Sequence, residues 1–410
     1  MATAWLEGGR ARTGHWPRRQ LDASATERHV PLAWRNVTYD KKRLARSAAG
    51  IGFAVLLMLI QLGFRNAFVE SSLALLDSIH GDLMIVSATK YRLGVSDTFP
   101  RRQLYQALGV DGVRRVSPLY GEWTDSIWKN PQTGESYAVQ VVAFDPGRPV
   151  LDLPGIEQHL DALRRDDTVL MDSRGRRFLG RAEAGLQTEL AGRRVTIAGT
   201  FILGPDFVSD GTIATSERTF FNLFPSRLGR DLQAAQVEIG VIEVAEDRDP
   251  TAVQASLRAV LPPDVVVLTK QELLDLESAF QNDVSPVGPI FLTGTLIGFA
   301  VGILISYQIM FTDLSDFLPQ YATLKAIGYT NRFMVMVALQ QALFYALLAF
   351  WPAWLVGIAI FAAVGEAALL PMRMTLGLTL AGLALTVGMC VVSGLIAVRR
   401  VLRADPAEVF

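Results

Sequence analysis

The stretch "VGPIFLTGTLIGFAVGILISYQIMFTDLSDFLPQYATLKAIGYTNR", Val287 to Arg332, changes character at its middle. Residues Val287–Phe311 are apolar and contain no Asp, Glu, Lys or Arg. At 1.5 Å per residue they make a helix about 37 Å long, enough to cross a hydrocarbon core about 30 Å thick with some tilt. Asp313–Arg332 reads instead like the surface of a soluble protein, and a further apolar run follows it. A span, a patterned polar segment and another span set the architecture of the chain.

Three more runs complete the set. "RSAAGIGFAVLLMLIQLGF" (Arg46–Phe64) follows the basic flank "KKRLAR" (Lys41–Arg46), which the positive-inside rule keeps cytoplasmic. More than forty residues precede this run and no small-residue cleavage site follows it, so it reads as a span and not as a signal peptide. The other two cover about Phe333–Val364 and Thr375–Val398. Pro352 lies inside the longer one, between Trp351 and Trp354. A hairpin there would place Arg399, Arg400 and Arg403 outside, so a single kinked span is preferred.

Charge follows the same division. Residues 1–66 hold 11 Lys/Arg against 4 Asp/Glu, residues 67–286 hold 22 against 31, and the rest hold 6 against 5. A basic start, an acidic middle and a nearly uncharged end fit a membrane topology, and no basic stripe points to nucleic acid. The expected fold is a membrane protein of four transmembrane α-helices, with a large α+β extracytoplasmic domain inserted between the first and second.

Residues 1–29 are expected to be a disordered cytoplasmic extension. Residues 30–66 hold an interfacial helix, with Trp34 and Tyr39 at headgroup level, and the first span. Residues 67–286 form the external domain with helical stalks, and spans follow at 287–311, 333–364 and 375–398. A cytoplasmic loop with a short helix occupies 312–332, an external turn 365–374, and a cytoplasmic tail 399–410. This orientation puts both termini in the cytoplasm and the chain in the inner membrane.

Within the external domain, "DLMIVSA" (Asp82–Ala88), "SYAVQVVAF" (Ser136–Phe144), "RRVTIAGTFIL" (Arg193–Leu203) and "AQVEIGVIEV" (Ala235–Val244) read as strands. "DPTAVQASLRAVL" (Asp249–Leu261) reads as a helix, followed by the strand "DVVVLT". "ALLDSIHGD" and "KQELLDLESAF" read as stalks that extend the spans outward.

Candidate chemistry is sparse. Of four histidines, His15 and His29 lie in the extension, while His80 and His159 lack metal-ligand or triad spacing. Cys390 is the only cysteine and sits in an apolar run, where it acts as a small hydrophobe. No catalytic residue, metal site or cofactor is expected in this chain, and G-x-x-x-x-G-K-[ST] does not occur. Gly294, Gly298 and Gly302 fall on one helix face and suit close helix packing against membrane neighbours. The spans carry no mid-membrane charge of the kind that marks ion-coupled transport.

In the polar segment, Asp313, Ser315 or Asp316 could cap a short helix, and Phe317, Tyr321, Leu324 and Ile327 share one face. Lys325 is displaced from that face, and Gly328 sits where the helix would end.

"YQIMFTDLSDFLPQYATLKAIGYTNR" (Tyr307–Arg332) resembles the segment after the second span in FtsX-like ABC-transporter permeases of the MacB and LolC type, specifically the DevC-type subgroup. "GFAVLLMLIQLGFRNAFVESS", "VTIAGTFILGPDFVSDGTIATS", "VLTKQELLDLE" and the "RADPAEVF" ending share that similarity, which covers Pro31 to Phe410. The resemblance implies a non-catalytic permease subunit that works as a homodimer with a separate cytoplasmic ABC ATPase, where ATP and Mg would bind. It makes the short loop helix a coupling helix, with Asp316, Phe317, Tyr321, Ala322, Leu324, Lys325, Ala326, Gly328 and Tyr329 as its ATPase-contacting residues. It also implies mechanotransmission through the stalks, and a membrane-fusion protein with an outer-membrane channel as further export partners. A different use of the same architecture is that of FtsX itself, whose external domain activates a cell-wall hydrolase and exports nothing.

Overall fold

Inside lipid, a helix satisfies its own backbone hydrogen bonds, so long apolar runs become helices. The computed structural model describes residues 32–123, 126–207, 209–320, 323, 327–328 and 330–403. Among these are four helices long and apolar enough to cross a membrane: Lys41–Asp77, Val287–Asp316, Asn331–Ala368 and Leu376–Arg403. They are called here the first to fourth long helices. The extension at 1–29 lies outside the described residues.

The first long helix starts at Asp40, whose carboxylate accepts from the Lys42 and Arg43 amides, a normal N-cap. It runs unbroken to Asp77, so the sequence after it, His80–Asp82, is not part of a helical stalk. The third long helix is one 38-residue element with Pro352 inside it. It ends at Leu369, which has φ +59°. The short helix Leu32–Thr38 precedes the bundle, and Trp34 packs edge-on against Phe344 with ring centroids 5.2 Å apart. The bundle core is built from Ile51, Met58, Leu59, Met310, Ala342, Phe350, Met389 and their neighbours.

Between the first and second long helices lies the sheet-rich domain. Its strands are β1 (Leu83–Ser87), β2 (Phe99–Pro100), β3 (Val113–Glu122), β4 (Ile127–Lys129), β5 (Ser136–Ala138), β6 (Gln140–Phe144) and β7 (Thr168–Asp172). They continue as β8 (Gln187–Leu190), β9 (Arg193–Phe201), β10 (Thr212–Ser216), β11 (Gln236–Val237), β12 (Ile239–Val244) and β13 (Val265–Thr269). Among the described residues, eleven strands form one sheet in the order β13-β1-β12-β3-β6-β10-β7-β9-β8-β4-β5, and β2 pairs with β11 apart from it.

The first four strands of that order, with helices Arg102–Leu108 and Pro250–Val260 as crossovers, make a β-α-β-β-α-β unit. The long strand β3 joins this unit to the rest. Its residues Val113 to Leu119 pair with β12, whereas Tyr120, Gly121 and Glu122 pair with β6. Alternation along β1 places Leu83 and Ile85 in one core and Met84 and Val86 in another. The second core also takes Leu75 and Leu76 from the first long helix and Leu273 from helix Lys270–Ala279, which seats the sheet on its stalks.

Two runs that read as single strands are broken. Ser136–Phe144 divides at Val139, whose amide turns to the Ser126 carbonyl, so β5 and β6 pair with different neighbours. Ala235–Val244 divides at the buried Glu238, whose amide goes to the Leu119 carbonyl. A local alternation pattern cannot show either break, because both are made by partners distant in sequence.

The second stalk is also interrupted. Helix Lys270–Ala279 begins with a capping box between Thr269 and Glu272. It passes into a π-helical turn at Phe280–Val284, and Ser285 is extended (ψ +134°) before the second long helix begins.

On the β3–β12 pair, Glu243 lies 2.5 Å from Arg114 and 2.9 Å from Arg115. Burial opposes ionisation of Glu243, but the two guanidiniums overcome it and hold the carboxyl below its usual range. A depressed folded pKa contributes stability above the ordinary glutamate value of about 4.3. That contribution is lost as pH falls through the lower folded value. Wild type is therefore expected to unfold at a higher temperature than Glu243→Gln at pH 7, with the two converging as pH falls below about 4.3. Parallel melting curves at pH 7 and pH 3.5 that kept the same gap would contradict this.

Candidate functional site

The second long helix does not stop at Phe311 but runs on to Asp316, because its last turn finds a cation on a neighbouring helix. Arg43, in the first turn of the first long helix, forms an ion pair with Asp313, and its Nη1 lies 2.6 Å from Asp316 Oδ2. The buried Tyr345 hydroxyl of the third long helix donates to the other Asp313 oxygen. Three long helices thus meet in one polar node at the end of the bundle that carries the basic flank. Asp40, Arg46 and Gln308 join the node around a cavity of about 480 Å³.

Asp313, Ser315 and Asp316 therefore lie within the long helix and do not cap a separate one. Ser315 Oγ donates back to the Phe311 carbonyl at 2.7 Å. Phe317 follows as the helix C-cap and is half-buried against the bundle core. Residues 318–320 and 323 are helical, and Thr323 Oγ1 donates to the Pro319 carbonyl at 3.0 Å. The Ile327 amide donates to the Thr323 carbonyl at 3.1 Å, and the Ile327 side chain is 72% exposed. Gly328 has φ +107°, a conformation that glycine adopts without steric cost and that ends helices. Tyr321, Ala322, Leu324, Lys325, Ala326 and Tyr329 lie outside the described residues.

The glycine face of the second long helix meets the first. A Cβ added to Gly294 would lie 2.7 Å from Gln61, and one on Gly298 would lie 3.1 Å from Met58 Cγ. One on Gly302 would lie 3.3 Å from the Ala54 Cβ and collide with the Met389 sulfur of the fourth long helix. The three glycines let the backbones of these helices approach closely.

At the other end of the bundle, a cavity of about 870 Å³ opens between the first long helix, the second stalk and the sheet domain. Arg65, Glu70, Asp77, His80, Asp152 and Lys270 contribute to its lining. His159 is packed over Gly199, where a Cβ would lie 2.5 Å from the imidazole, so its place is structural. Among the described residues no group of three or more His, Cys, Asp or Glu is placed to hold a metal.

Residues 292–406 match the family model described as FtsX-like permease C-terminal. This segment contains nearly all of the second long helix, the polar segment after it and the last two long helices. Among solved structures, one similar chain is the extracellular domain of a noncanonic ABC-type transporter, YknZ, from Gram-positive bacteria. It has 12% identity, covers 46% of this chain and 100% of that one, and gives a TM-score of 0.31. Another is a domain of a permease protein from Porphyromonas gingivalis, with 14% identity, 47% and 90% coverage, and a TM-score of 0.30. No curated protein matches the chain.

The family match thus falls on the membrane-helix half of the chain, which also carries a sheet-rich domain between its first and second long helices. Sequence reasoning missed Arg43 and Tyr345 altogether. Arg43 was counted as one of several flanking cations, and Tyr345 as one more apolar-run residue. An acidic pair, Asp313 and Asp316, one turn apart at a span's end was the available signal that a cation was needed nearby.

Proposed function

We propose that this chain is the membrane-spanning subunit of an ABC-type exporter. It receives motion from a separate cytoplasmic ATPase, which binds ATP and Mg, and passes it to the external domain. The observation that carries this reading is the FtsX-like permease match over residues 292–406, a segment that includes the polar stretch between the second and third long helices. That stretch ends its helical turn at Gly328, exposes Ile327 and is braced on the bundle through Asp313, Asp316 and Arg43. An exposed apolar side chain on a braced segment suits a protein groove. In this reading Asp316, Phe317, Tyr321, Ala322, Leu324, Lys325, Ala326, Gly328 and Tyr329 form or support the ATPase contact. The working unit is a homodimer in the inner membrane, with the sheet domain outside. In the DevC-type reading of the permease, a membrane-fusion protein and an outer-membrane channel complete an export path.

The test is ATP hydrolysis by the ATPase co-purified with this chain in mild detergent. Gly328→Glu and Ala326→Glu are expected to abolish stimulated hydrolysis while the chain stays in the membrane at wild-type amount. Full stimulation in both variants would remove the polar segment from the coupling path. Stimulation in the wild type without movement of any solute would point to the regulatory use of the architecture.

A further inference from the structure

The second stalk cannot deliver motion as one rigid rod, because the π-helical turn at Phe280–Val284 and the extended Ser285 separate it from the second long helix. Insertions of this type mark functional positions in helices. Here the turn is gripped from the side by the segment that follows β1. The Leu93 amide donates to Glu277 Oε2 at 2.6 Å, and Gln281 Nε2 donates to Glu277 Oε1 at 2.7 Å. Tyr91 packs on Phe280 with centroids 5.5 Å apart, and the Arg92 guanidinium lies 5.2 Å from the same ring centroid. From the first long helix, Arg65 donates to Asn282 Oδ1 at 2.7 Å.

The other end of this segment is fixed to the sheet. Lys90 is buried, and its ammonium donates to the Glu238 carboxylate and, at 2.8 Å, to the Val95 carbonyl. Trp123 Nε1 donates to the same Glu238 oxygen at 3.0 Å. Glu238 is the residue that separates β11 from β12, so the pair ties the segment to the inner strands. An exposed loop has no physical need for a buried, fully paired lysine. The segment thus contacts the stalk at one end and the inner strands at the other.

We infer that residues 90–93 are a clasp that carries movement of the interrupted second stalk into the external sheet, with Glu277 as the grip on the stalk and Lys90–Glu238 as the anchor on the sheet. The inference rests on the permease reading above, in which the stalk moves when the partner ATPase binds nucleotide.

The test measures amide hydrogen exchange in the full chain, complexed with its ATPase, with and without Mg-ATP. In wild type, nucleotide is expected to change exchange both in 270–284 and in β1 and β12. In Glu277→Ala, the Leu93 amide is expected to exchange at least about tenfold faster, which is the loss of about 1.4 kcal/mol of protection. The nucleotide response of 270–284 persists there, but the response of β1 and β12 falls severalfold. Lys90→Met alone leaves the buried Glu238 carboxylate without its counter-charge and can unfold the domain. The double variant Lys90→Met/Glu238→Leu removes both charges, keeps the fold, and is expected to lose the sheet response in the same way. An undiminished β1 and β12 response in Glu277→Ala and in the double variant would overturn the clasp alone. A wild-type stalk that ignores nucleotide would overturn the permease reading, and the clasp with it.

Discussion

Replacing Asp313 with alanine is expected to destabilise the bundle by about 2–3 kcal/mol, below the 3–5 kcal/mol of a fully buried pair because Arg43 is partly open to water. Asp313 is the centre of the polar node: its two oxygens serve Arg43 of the first long helix and Tyr345 of the third. Without it, the buried Tyr345 hydroxyl loses its acceptor, and Arg43 is left with the more exposed Asp316. The first loss leaves a desolvated hydroxyl unpaired, which is more damaging than the net worth of the bond itself. Tyr345→Phe removes only one hydrogen bond and is expected to lower stability by about 1 kcal/mol. The double variant Arg43→Met/Asp313→Leu deletes charge on both sides and should recover much of the loss. Thermal unfolding in detergent gives the ranking; Asp313→Ala within about 0.5 kcal/mol of wild type would show that the node bears no load. Because the node sits directly before the polar segment, its loss should also lower ATPase stimulation more than the stability change alone explains.

A second large effect is expected where the first and third long helices cross. A Cβ on Gly63 would lie 2.7 Å from Phe361 Cε2 and 2.9 Å from Cε1, with Cζ closer still. The Phe361 ring is only 2% exposed, so it has no open space to swing into. Gly63→Ala is therefore expected to destabilise by about 1–3 kcal/mol despite alanine's better helix propensity, and Gly63→Val by more. Gly377 in the fourth long helix is the internal control, because nothing lies within 4 Å of an added Cβ there. Gly377→Ala should be neutral or mildly stabilising. Pairing Gly63→Ala with Phe361→Leu should return part of the lost stability, and its failure to do so would place the strain elsewhere.

The sequence was readable where the physics is local. Apolar length reveals the four long helices, a short apolar run bounded by turn residues reveals β1, and alternation reveals β9. It was unreadable where partners are far apart in the chain: Arg43 and Asp316 are separated by 273 positions. Lys90 and Glu238 are 148 apart, and each taken alone looks like an ordinary surface charge. The spacing of Gly294, Gly298 and Gly302 announced a packing face, but not that Ala54, Met58, Gln61 and Met389 would fill it. The interruption of the second stalk has a different origin. "LESAFQNDVSPVG" contains good helix formers up to Phe280, and only Pro286 hints that the rod is not continuous.

The strand β3 is shared by both halves of the sheet. Val113–Leu119 pair on one side and Tyr120–Glu122 on the other, so the strand order from β13 to β5 runs through β3. At about 4.8 Å per strand, the eleven strands span about 50 Å before twist shortens them. The second stalk packs against β13 and β1, near one edge of that width. In the proposed function, a tilt of the second stalk would therefore enter the sheet at its β13 edge and pass toward the β5 edge through β3.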